Sequence, residues 1–294
     1  MGPFDDLADR LVLPVGFFER IHELLVDKRQ VVFHGPPGTG KTYVARELAK
    51  TLAGDDGTVS LVQFHPSYAY EDFVEGYRPR LIDGRPGFEL VPGPFKLAAQ
   101  SARDNPDATH VLVIDEINRG NVAKILGELY FLLEYRDEQI SLQYSHDDFE
   151  LPANLWIIAT MNTADRSIAL VDAALRRRFH FVGFFPDTEP IAGLLRRWLQ
   201  RHQPTMEWVA DVVDRANDKV PDRHLAIGPS HFLRPGLDDA YIALTWEHSV
   251  LPYLEEQFLG NDAALKDFAL ERLRNGPTTV TQESATPVGS DGDD

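Results

Sequence analysis

The sequence predicts an α/β fold in which a parallel sheet is flanked by helices and is followed by a small all-α lid domain. Short apolar runs typical of buried strands recur through the first part of the chain, with helical patterns between them. These runs cover residues 31–34, 59–64, 111–114, 155–160 and 179–182. After Pro186 the strand signals give way to helical periodicity, near residues 188–202, 206–219, 237–258 and 262–273. The change in pattern separates an α/β part from a helical part.

The same patterns predict the domain boundaries. We expect the α/β domain over residues 1–185, with an amphipathic helix around residues 17–27 before the first strand. A stretch at about residues 77–95 is rich in glycine, proline and aromatic residues, and Asp83 and Gly84 fit a tight turn, so we expect an inserted β-hairpin there. The helical lid domain should cover residues 186–274. The acidic tail, residues 275–294, has no basic side chain and is expected to be disordered.

The composition excludes several classes of protein. The 294 residues carry 29 Lys and Arg against 46 Asp and Glu, a formal net charge of −17. This sign is opposite to that of a domain that holds nucleic acid by neutralising phosphates, so we expect DNA contacts mainly through a partner or a separate recognition module. No lysine follows an acid by two residues, which argues against a common nuclease motif. Without cysteine or an apolar stretch of membrane-spanning length, the chain is expected to be cytoplasmic, with no membrane contact.

A glycine-rich loop follows the first predicted strand and opens a helix. Its sequence, GPPGTGKT, fits the pattern G-x-x-x-x-G-K-[ST], in which backbone N–H groups surround phosphate oxygens. Lys41 is expected to reach the β- and γ-phosphates and Thr42 to bind Mg²⁺. We therefore expect a nucleoside triphosphate and Mg²⁺ as ligands, against the alternative of a glycine turn that binds nothing. The expected nucleotide contacts are Gly35, Pro36, Pro37, Gly38, Thr39, Gly40, Lys41, Thr42 and Tyr43.

Polar residues end two further predicted strands. Asp115 and Glu116 follow the apolar run at 111–114, and a buried parallel strand delivers its last residues to the ligand edge of the sheet. Asp115 is expected to hold Mg²⁺ and Glu116 to polarise the attacking water. Asn162, after the run at 155–160, is expected to fix that water or to contact the γ-phosphate. The alternatives are two solvated acids at a strand end and an asparagine that forms a turn or caps a helix.

Three consecutive arginines, Arg176, Arg177 and Arg178, precede the last predicted strand. Because like charges repel each other, we expect an anionic group to face them. One of them should reach the γ-phosphate bound by a neighbouring subunit as an arginine finger, which stabilises charge that develops in the transition state. A solvated basic patch is the alternative.

These elements in this order, with the hairpin insert and the helical lid, resemble the AAA+ P-loop NTPases, in particular the clade with an insert in its second helix. Three stretches resemble more closely the McrB-like family, the GTP-driven motor subunits of modified-cytosine restriction systems, which act in anti-phage defence. They are LVQFHPSYAYEDFVEGYRP, IDEINRGNVAKILGEL and MNTADRSIALVDAALRRRF. The resemblance covers roughly residues 15–260. It implies a GTPase rather than an ATPase, a homo-oligomeric ring that is a hexamer, and stimulation by a McrC-like subunit that carries the nuclease.

The chain departs from this family pattern at its start and in the lid. About 16 residues precede the first predicted helix, so we expect the module that reads methylated DNA to be absent from this chain. Near the position of the lid arginine of related proteins the chain has Phe232, and Arg234 is one candidate for a second sensor. Two other functions stay open: a MoxR-type ATPase chaperone that remodels or assembles protein and metal complexes, and a nucleotide sensor that does not hydrolyse its ligand.

Overall fold

The computed structural model describes residues 2–164, 173–258 and 262–275. The strands are β1 (Gln30–Gly35), β2 (Val59–Gln63), β3 (Glu75–Ile82), β4 (Arg85–Pro92), β5 (His110–Asp115), β6 (Ile140–Ser141), β7 (Asp148–Phe149), β8 (Leu155–Asn162) and β9 (His180–Gly183). The α-helices of the α/β part are α1 (Asp5–Leu11), α2 (Val15–Lys28), α3 (Lys41–Ala53), α4 (Tyr70–Phe73), α5 (Pro94–Asp104), α6 (Val122–Leu126), α7 (Leu129–Leu132) and α8 (Ala173–Arg178). The later α-helices are α9 (Leu194–His202), α10 (Trp208–Asn217), α11 (Asp239–Thr245), α12 (Leu251–Gln257), α13 (Asp262–Leu265) and α14 (Leu270–Asn275).

A five-stranded parallel sheet forms the centre of the α/β part, with the strand order β2-β5-β8-β1-β9. The predicted apolar runs form its strands because β1, β5 and β8 are covered on both faces and bury nearly every side chain. The register pairs Gly35 with Asn162 and Gln63 with Asp115. The carboxyl ends of these strands therefore meet at one edge of the sheet and bring together residues that are far apart in the sequence.

Helices cover both faces of the sheet and produce two apolar cores. Together with α1 and α3, α2 buries Phe18, Ile21 and Leu25, spaced at i, i+3 and i+7, in one of them. The other core includes side chains of α5, α6 and α7. The sequence analysis missed α1, which adds Leu7 and Leu11 to the first core, because a helix of 7 residues is too short to show clear periodicity. The prediction that about 16 residues precede the first helix was therefore wrong.

The insert is a two-stranded antiparallel hairpin, as predicted, although its strands begin and end slightly earlier than the predicted limits. Asp83 and Gly84 connect β3 to β4 with φ angles of 50° and 78°, which is the left-handed pair that a type I′ turn requires. At the base of the hairpin, Lys96 donates to the buried Glu75 carboxylate at 2.6 Å. This ion pair ties β3 to α5 and so fixes the insert to the body of the domain.

A group of short helices follows the sheet and has an apolar core of its own. Phe232 and Trp246 are buried in it, and Trp246 Nε1 donates to Phe268 O at 2.8 Å. The predicted helical segments are present, with two differences. α9 begins at Leu194, later than predicted, because Pro190 lies in the preceding turns. The third predicted segment is one continuous run in which a π-helical turn joins α11 to α12.

Some predictions fall outside the described residues. One is the disorder of the tail over residues 276–294, and part of the MNTADRS stretch that carries the family resemblance, residues 165–167, also lies outside them. The domain limits at residues 185 and 274 stay predictions. In the parts of the chain that the structure describes, no helix combines the length and apolar character needed to span a membrane.

The lid contacts the glycine-rich loop through the turn at Pro229–His231. Ser230 N–H donates to Gly38 O at 2.9 Å. Gly228 packs so closely that a Cβ added there would lie 2.2 Å from the Gly38 carbonyl carbon and 2.5 Å from Pro37 O. Since these neighbours are backbone atoms, neither can move aside without moving the loop. The lid can therefore lie against the loop because residue 228 is a glycine.

Gly228→Ala should displace the lid turn from the loop. The φ angle of −74° at Gly228 suits alanine, so the clash with Gly38 is what opposes the substitution. We expect the Ser230 amide hydrogen to exchange with solvent at least about tenfold faster in the variant, measured by hydrogen–deuterium exchange. Gly16→Ala is the matched control, because the nearest atom to a Cβ added there is 3.9 Å away. Unchanged exchange at Ser230 in both variants would contradict the close contact.

Candidate functional site

The glycine-rich loop connects β1 to α3, in the order that the sequence predicts. Gly38 has a φ of 74°, a left-handed conformation that glycine adopts at low cost. Lys41, the first residue of α3, lies inside the loop, and its Nζ donates to Gly35 O at 3.0 Å and to Pro36 O at 2.6 Å. Tyr43, also in the first turn of α3, is exposed. The loop therefore encloses the lysine, while the tyrosine faces outward.

The buried position of Lys41 perturbs its titration. Only 5% of its surface is exposed, and this burial lowers the pKa of Lys41 to about 8. The negative charges of Glu116 and Asp115 act against this shift. Within the described residues, the hydrogen bonds of Lys41 go to carbonyl and hydroxyl oxygens. Its charge therefore favours an anionic ligand in the loop.

Asp115, the last residue of β5, joins three elements at the sheet edge. Its Oδ1 accepts hydrogen bonds from the Thr42 and Thr160 hydroxyls, each at 2.6 Å, and Gln63 Nε2 lies 3.4 Å from Oδ2. Mg²⁺ prefers such oxygen ligands and is commonly held by one or two carboxylates together with phosphate oxygens. The described part of the chain contains no cluster of three or more His, Asp or Glu able to hold a metal. The Asp115 carboxylate and the Thr42 hydroxyl, 2.6 Å apart, are oxygen ligands of the kind that fit a Mg²⁺ shared with a phosphate.

The structure brings Glu116 into contact with Asn162. Asn162 Nδ2 donates to Glu116 Oε1, and Arg119 Nε lies 3.4 Å from Glu116 Oε2. Glu116 has a φ of 55°, and its N–H donates to Thr160 Oγ1 at 3.2 Å, which fixes the path of the chain after β5. Burial raises the pKa of the Glu116 carboxyl, and the charge of Arg119 acts against that shift. A carboxylate with a raised pKa, held by an amide, is suited to accept a proton from a water molecule.

The sequence analysis missed three residues at this edge: Asn118, Arg119 and Thr160. Asn118 Nδ2 donates to Asn162 O at 3.0 Å, and among the described residues its buried Oδ1 has no hydrogen-bond partner. Thr160 hydrogen-bonds to both acids at the end of β5. A signal existed for Asn118 and Arg119, because both lie in the same IDEINR stretch as the two acids. Thr160 lies inside an apolar run and carries no comparable signal.

Arg177 and Arg178 lie at the opposite end of the sheet from the loop. They end α8 just before β9 begins, whereas the loop follows the end of the neighbouring parallel strand β1. The Glu134 carboxylate pairs with Arg177 Nη2 at 2.7 Å and with Arg178 Nη2 at 2.8 Å. Arg178 also lies over the Tyr130 ring at 4.5 Å, and 11% of its side chain is exposed, against 67% for Arg177. Arg177 is therefore the more accessible of the two.

Arg176 has a different environment. Its guanidinium lies over the Phe181 ring at 5.3 Å, and that ring contacts His34, the residue before the loop. Burial lowers the pKa of His34 to about 4, and among the neighbouring charges Arg176 adds most to this shift. Arg176 is exposed, like Arg177. The structure thus separates the cluster into two exposed arginines, Arg176 and Arg177, and one, Arg178, whose side chain is mostly buried.

Arg234, the candidate for a second sensor, packs within the lid. Its guanidinium lies over the Tyr241 ring at 4.2 Å and lowers the pKa of Tyr241 through a hydrogen bond. Phe232, near the position of the lid arginine of related proteins, is fully buried in the lid core. The lid residues that contact the loop are instead Gly228 and Ser230.

A cleft of about 610 Å³ lies between the polar edge of the sheet and the lid. Pro37, Arg119 and Asn162 line it on one side. Asp222, Tyr253 and Gln257 line it from the lid. A ligand in this cleft would contact both the sheet edge and the lid.

Two family models match the chain. Residues 30–179, about half of the chain, match the AAA domain of the dynein-related subfamily. Residues 208–266 match the α-helical lid domain of McrB. The two matches fall on the sheet with its helices and on the helical part, respectively.

Relatives with established names include two restriction components. The "Type IV methyl-directed restriction enzyme EcoKMcrB subunit" of Escherichia coli is 37% identical over 278 residues, which cover 86% of this chain and 59% of that protein. The "Type II restriction enzyme BsuMI component YdiS" of Bacillus subtilis is 28% identical over 276 residues, 78% of each chain. Neuron navigator 2 of Homo sapiens is 26% identical over 275 residues, which cover 86% of this chain and 10% of that protein.

The matches decide between the families that the sequence analysis left open. The McrB lid model and the two restriction components favour the McrB-like family over the MoxR-type alternative. The AAA match and the parallel sheet confirm the predicted fold class. The chain belongs to the AAA domain family and, within it, to the McrB-like members that carry a helical lid of the McrB type.

Proposed function

We propose that this chain hydrolyses a nucleoside triphosphate, with a preference for GTP, as the motor subunit of a McrBC-like system that restricts modified DNA in anti-phage defence. One observation carries the proposal: Lys41, Asp115, Glu116 and Asn162 lie together at one sheet edge, beside a lid of the McrB type. The names of the two restriction relatives support the biological role.

Each group at the edge has a distinct task in this proposal. The backbone of residues 35–43 would surround the phosphates, and Lys41 would neutralise the charge of the β- and γ-phosphates. Asp115 and Thr42 would hold Mg²⁺, which supplies further charge neutralisation on the phosphate oxygens. Glu116 would accept a proton from the attacking water, and Asn162 would orient that water. The hydrogen bond from Asn162 to Glu116 supports this division, because it fixes the carboxylate in one orientation.

DNA binding and cleavage are assigned to other parts of the system. The net charge of −17 disfavours a broad DNA-binding surface on this chain. We propose that a McrC-like subunit carries the nuclease, and that DNA is contacted mainly through that subunit or through a separate recognition module. A cytoplasmic location would follow from this role.

A homo-oligomeric ring, which we propose is a hexamer, would complete the active site. Arg177 precedes β9 at the sheet end opposite to its own loop, so it would serve the nucleotide held by an adjacent copy. Arg176, also exposed, is the second candidate, whereas Arg178 is enclosed by Glu134 and Tyr130. A head-to-tail contact of this kind forms a ring when its rotation closes.

Lys41→Ala and Glu116→Gln should separate binding from hydrolysis. The lysine would contact phosphates, so its loss should weaken triphosphate binding by about a hundredfold. The glutamate would touch the water alone, so Glu116→Gln should bind normally and hydrolyse about a hundredfold to ten-thousandfold more slowly. A fluorescent triphosphate measures the first effect, and phosphate release measures the second. Equal loss of binding in both variants would remove the role assigned to Glu116.

GTP should be hydrolysed faster than ATP. The reason is the membership of the McrB-like family, whose motor subunits are driven by GTP. Steady-state hydrolysis of each nucleotide, with and without the McrC-like partner, measures the preference. A rate with ATP that exceeds the rate with GTP in both conditions would contradict the GTP part of the proposal while leaving triphosphate hydrolysis intact.

The arginine finger should act between subunits. Arg177→Ala is expected to keep nucleotide affinity and to lose about a hundredfold or more in hydrolysis, because the charge that it meets develops in the transition state. Arg176→Ala provides the matched comparison within the same cluster. The variant with the larger loss of hydrolysis at unchanged affinity identifies the finger.

Mixing that arginine variant with Glu116→Gln tests the shared site. An arginine variant with an intact Glu116 can lie beside a Glu116→Gln subunit with an intact arginine, and this pair makes one complete site. Random exchange at equal amounts should restore about a quarter of the wild-type rate, although neither parent is active. If fluorescence transfer shows that subunits exchange and the mixture stays inactive at every ratio, the arginine does not act between subunits.

A further inference from the structure

A buried glutamine lies at the start of β1, at the end of the sheet opposite to the glycine-rich loop. Gln30 is 1% exposed. Its Nε2 donates to Leu133 O at 2.7 Å and to Arg178 O at 2.8 Å, and its Oε1 accepts from Arg136 Nη2 at 2.7 Å. Because a buried carboxamide is costly to leave unpaired, these hydrogen bonds fix the side chain in one orientation.

The two carbonyls that Gln30 binds lie beside the partners of an ion pair. Leu133 directly precedes Glu134, and Arg178 directly follows Arg177. The Glu134 carboxylate pairs with Arg177 Nη2 at 2.7 Å. One buried side chain therefore fixes the backbone next to both partners of this pair, although they lie 43 residues apart in the sequence.

Lys28, the last residue of α2, binds the adjacent carbonyl. Its Nζ donates to Arg177 O at 2.6 Å. The ladder between β1 and β9 begins with Val31 opposite His180, after the arginines. Lys28 and Gln30 therefore hold two successive carbonyls in the segment that joins α8 to β9.

Arg177 extends from this backbone toward solvent. Its side chain is 67% exposed, and together with Lys28 it lines a cavity of about 570 Å³. A long exposed side chain reaches a given point only as accurately as its backbone is held. Where a group must meet the reacting atoms, a misplacement of about 1 Å can cost about a hundredfold in rate. The reach of Arg177 therefore depends on contacts that lie away from its guanidinium.

We propose that Gln30 and Lys28 are positioning residues for the arginine finger and hold the Arg177 backbone where its guanidinium meets the nucleotide of the adjacent subunit. This inference rests on the proposed shared site and adds the side chains that set its geometry. Both residues lie at the end of the sheet opposite to their own loop. Their loss would therefore slow hydrolysis in the adjacent subunit and leave nucleotide binding in their own subunit unchanged.

Gln30→Glu tests the buried contact with a side chain of the same size. Arg136 would stabilise the new carboxylate, because burial lowers the pKa of Arg136 to about 9 and, within the described residues, its hydrogen bonds go to amide oxygens. The substitution removes both N–H donors, so a carboxylate would face the Leu133 and Arg178 carbonyls and repel them. We expect kcat for hydrolysis to fall at least about tenfold, with triphosphate affinity within about twofold of the wild type.

Lys28→Met tests the surface contact and should fold normally, because that contact is exposed. Its kcat should fall less, by about threefold, since water can take the place of an exposed donor. Lys28→Arg keeps a charged donor and should restore most of the rate. Gln203→Glu is the matched control for the buried substitution: the Gln203 Oε1 accepts from Leu237 N–H at 3.0 Å in the lid, so the variant should keep the wild-type rate.

Coupling to Arg177 separates a positioning role from a purely structural one. Gln30→Glu combined with Arg177→Ala should hydrolyse no more slowly than Arg177→Ala alone, because the finger that Gln30 positions is already absent. Rings mixed from Gln30→Glu and Glu116→Gln subunits should regain about a quarter of the wild-type rate, since the Glu116→Gln subunit supplies an intact finger. Rings mixed from Gln30→Glu and Arg177→Ala subunits should gain nothing.

Three results would overturn the inference alone: losses that add in the double variant, an affinity that falls as much as the rate, or an unchanged rate in both Gln30→Glu and Lys28→Met. A different result would reach the proposed function. If Arg177→Ala keeps the wild-type rate while Glu116→Gln loses it, Arg177 is not the finger and the inference fails with that assignment, although triphosphate hydrolysis stands.

Discussion

The parallel register of β1, β5 and β8 is the constraint on which the site depends. Gly35 lies opposite Asn162, and the neighbouring strand ends at Asp115, so the loop, the acids and the amide emerge at the same edge. A shift of any one strand by two residues would move its last side chain by about 7 Å, more than the length of a hydrogen bond. Burial of these strands on both faces therefore fixes the apolar core and the positions of the polar groups together.

A site residue could be predicted from the sequence when its signal lies within a few adjacent residues. The loop and Asp115 were predictable because a glycine pattern and a strand end are visible in a few adjacent residues. The link from Glu134 to Arg177 joins positions 43 residues apart and has no local pattern. Thr160 lies within an apolar run and gives no signal of its own. Tyr253 and Gln257 line the cleft, but in the sequence they look like ordinary residues of an amphipathic helix. The short helix α1 was missed because its 7 residues are too few to show clear periodicity, although Leu7 and Leu11 pack in one core with α2 and α3.

The polar edge of the sheet contains buried charged side chains, and their burial costs free energy. Burial removes water from both Lys41 and Glu116. It lowers the pKa of Lys41 and raises the pKa of Glu116, so each shift favours the neutral form. Hydrogen bonds from Thr42 and Thr160 to Asp115, and from Asn162 to Glu116, offset part of this cost. An anion in the loop would offset more of it at Lys41. Ligand binding and stability of this edge are therefore coupled, as they are wherever a ligand binds the folded state alone.

The pairing of Arg177 with Glu134 bears on how a shared site could assemble. Because 67% of the Arg177 side chain is exposed, this ion pair is in the class that contributes about 0–1 kcal/mol. A guanidinium that contacts a phosphate in a closed interface is shielded from solvent, so the same kind of charge-assisted contact is stronger there than on an exposed surface. In the proposed ring, Glu134 would hold Arg177 in position on the isolated chain and release it when a neighbouring copy presents a phosphate. Arg178 differs because its side chain lies between Glu134 and Tyr130. Its removal would disturb the contacts of Glu134, which also pairs with Arg177.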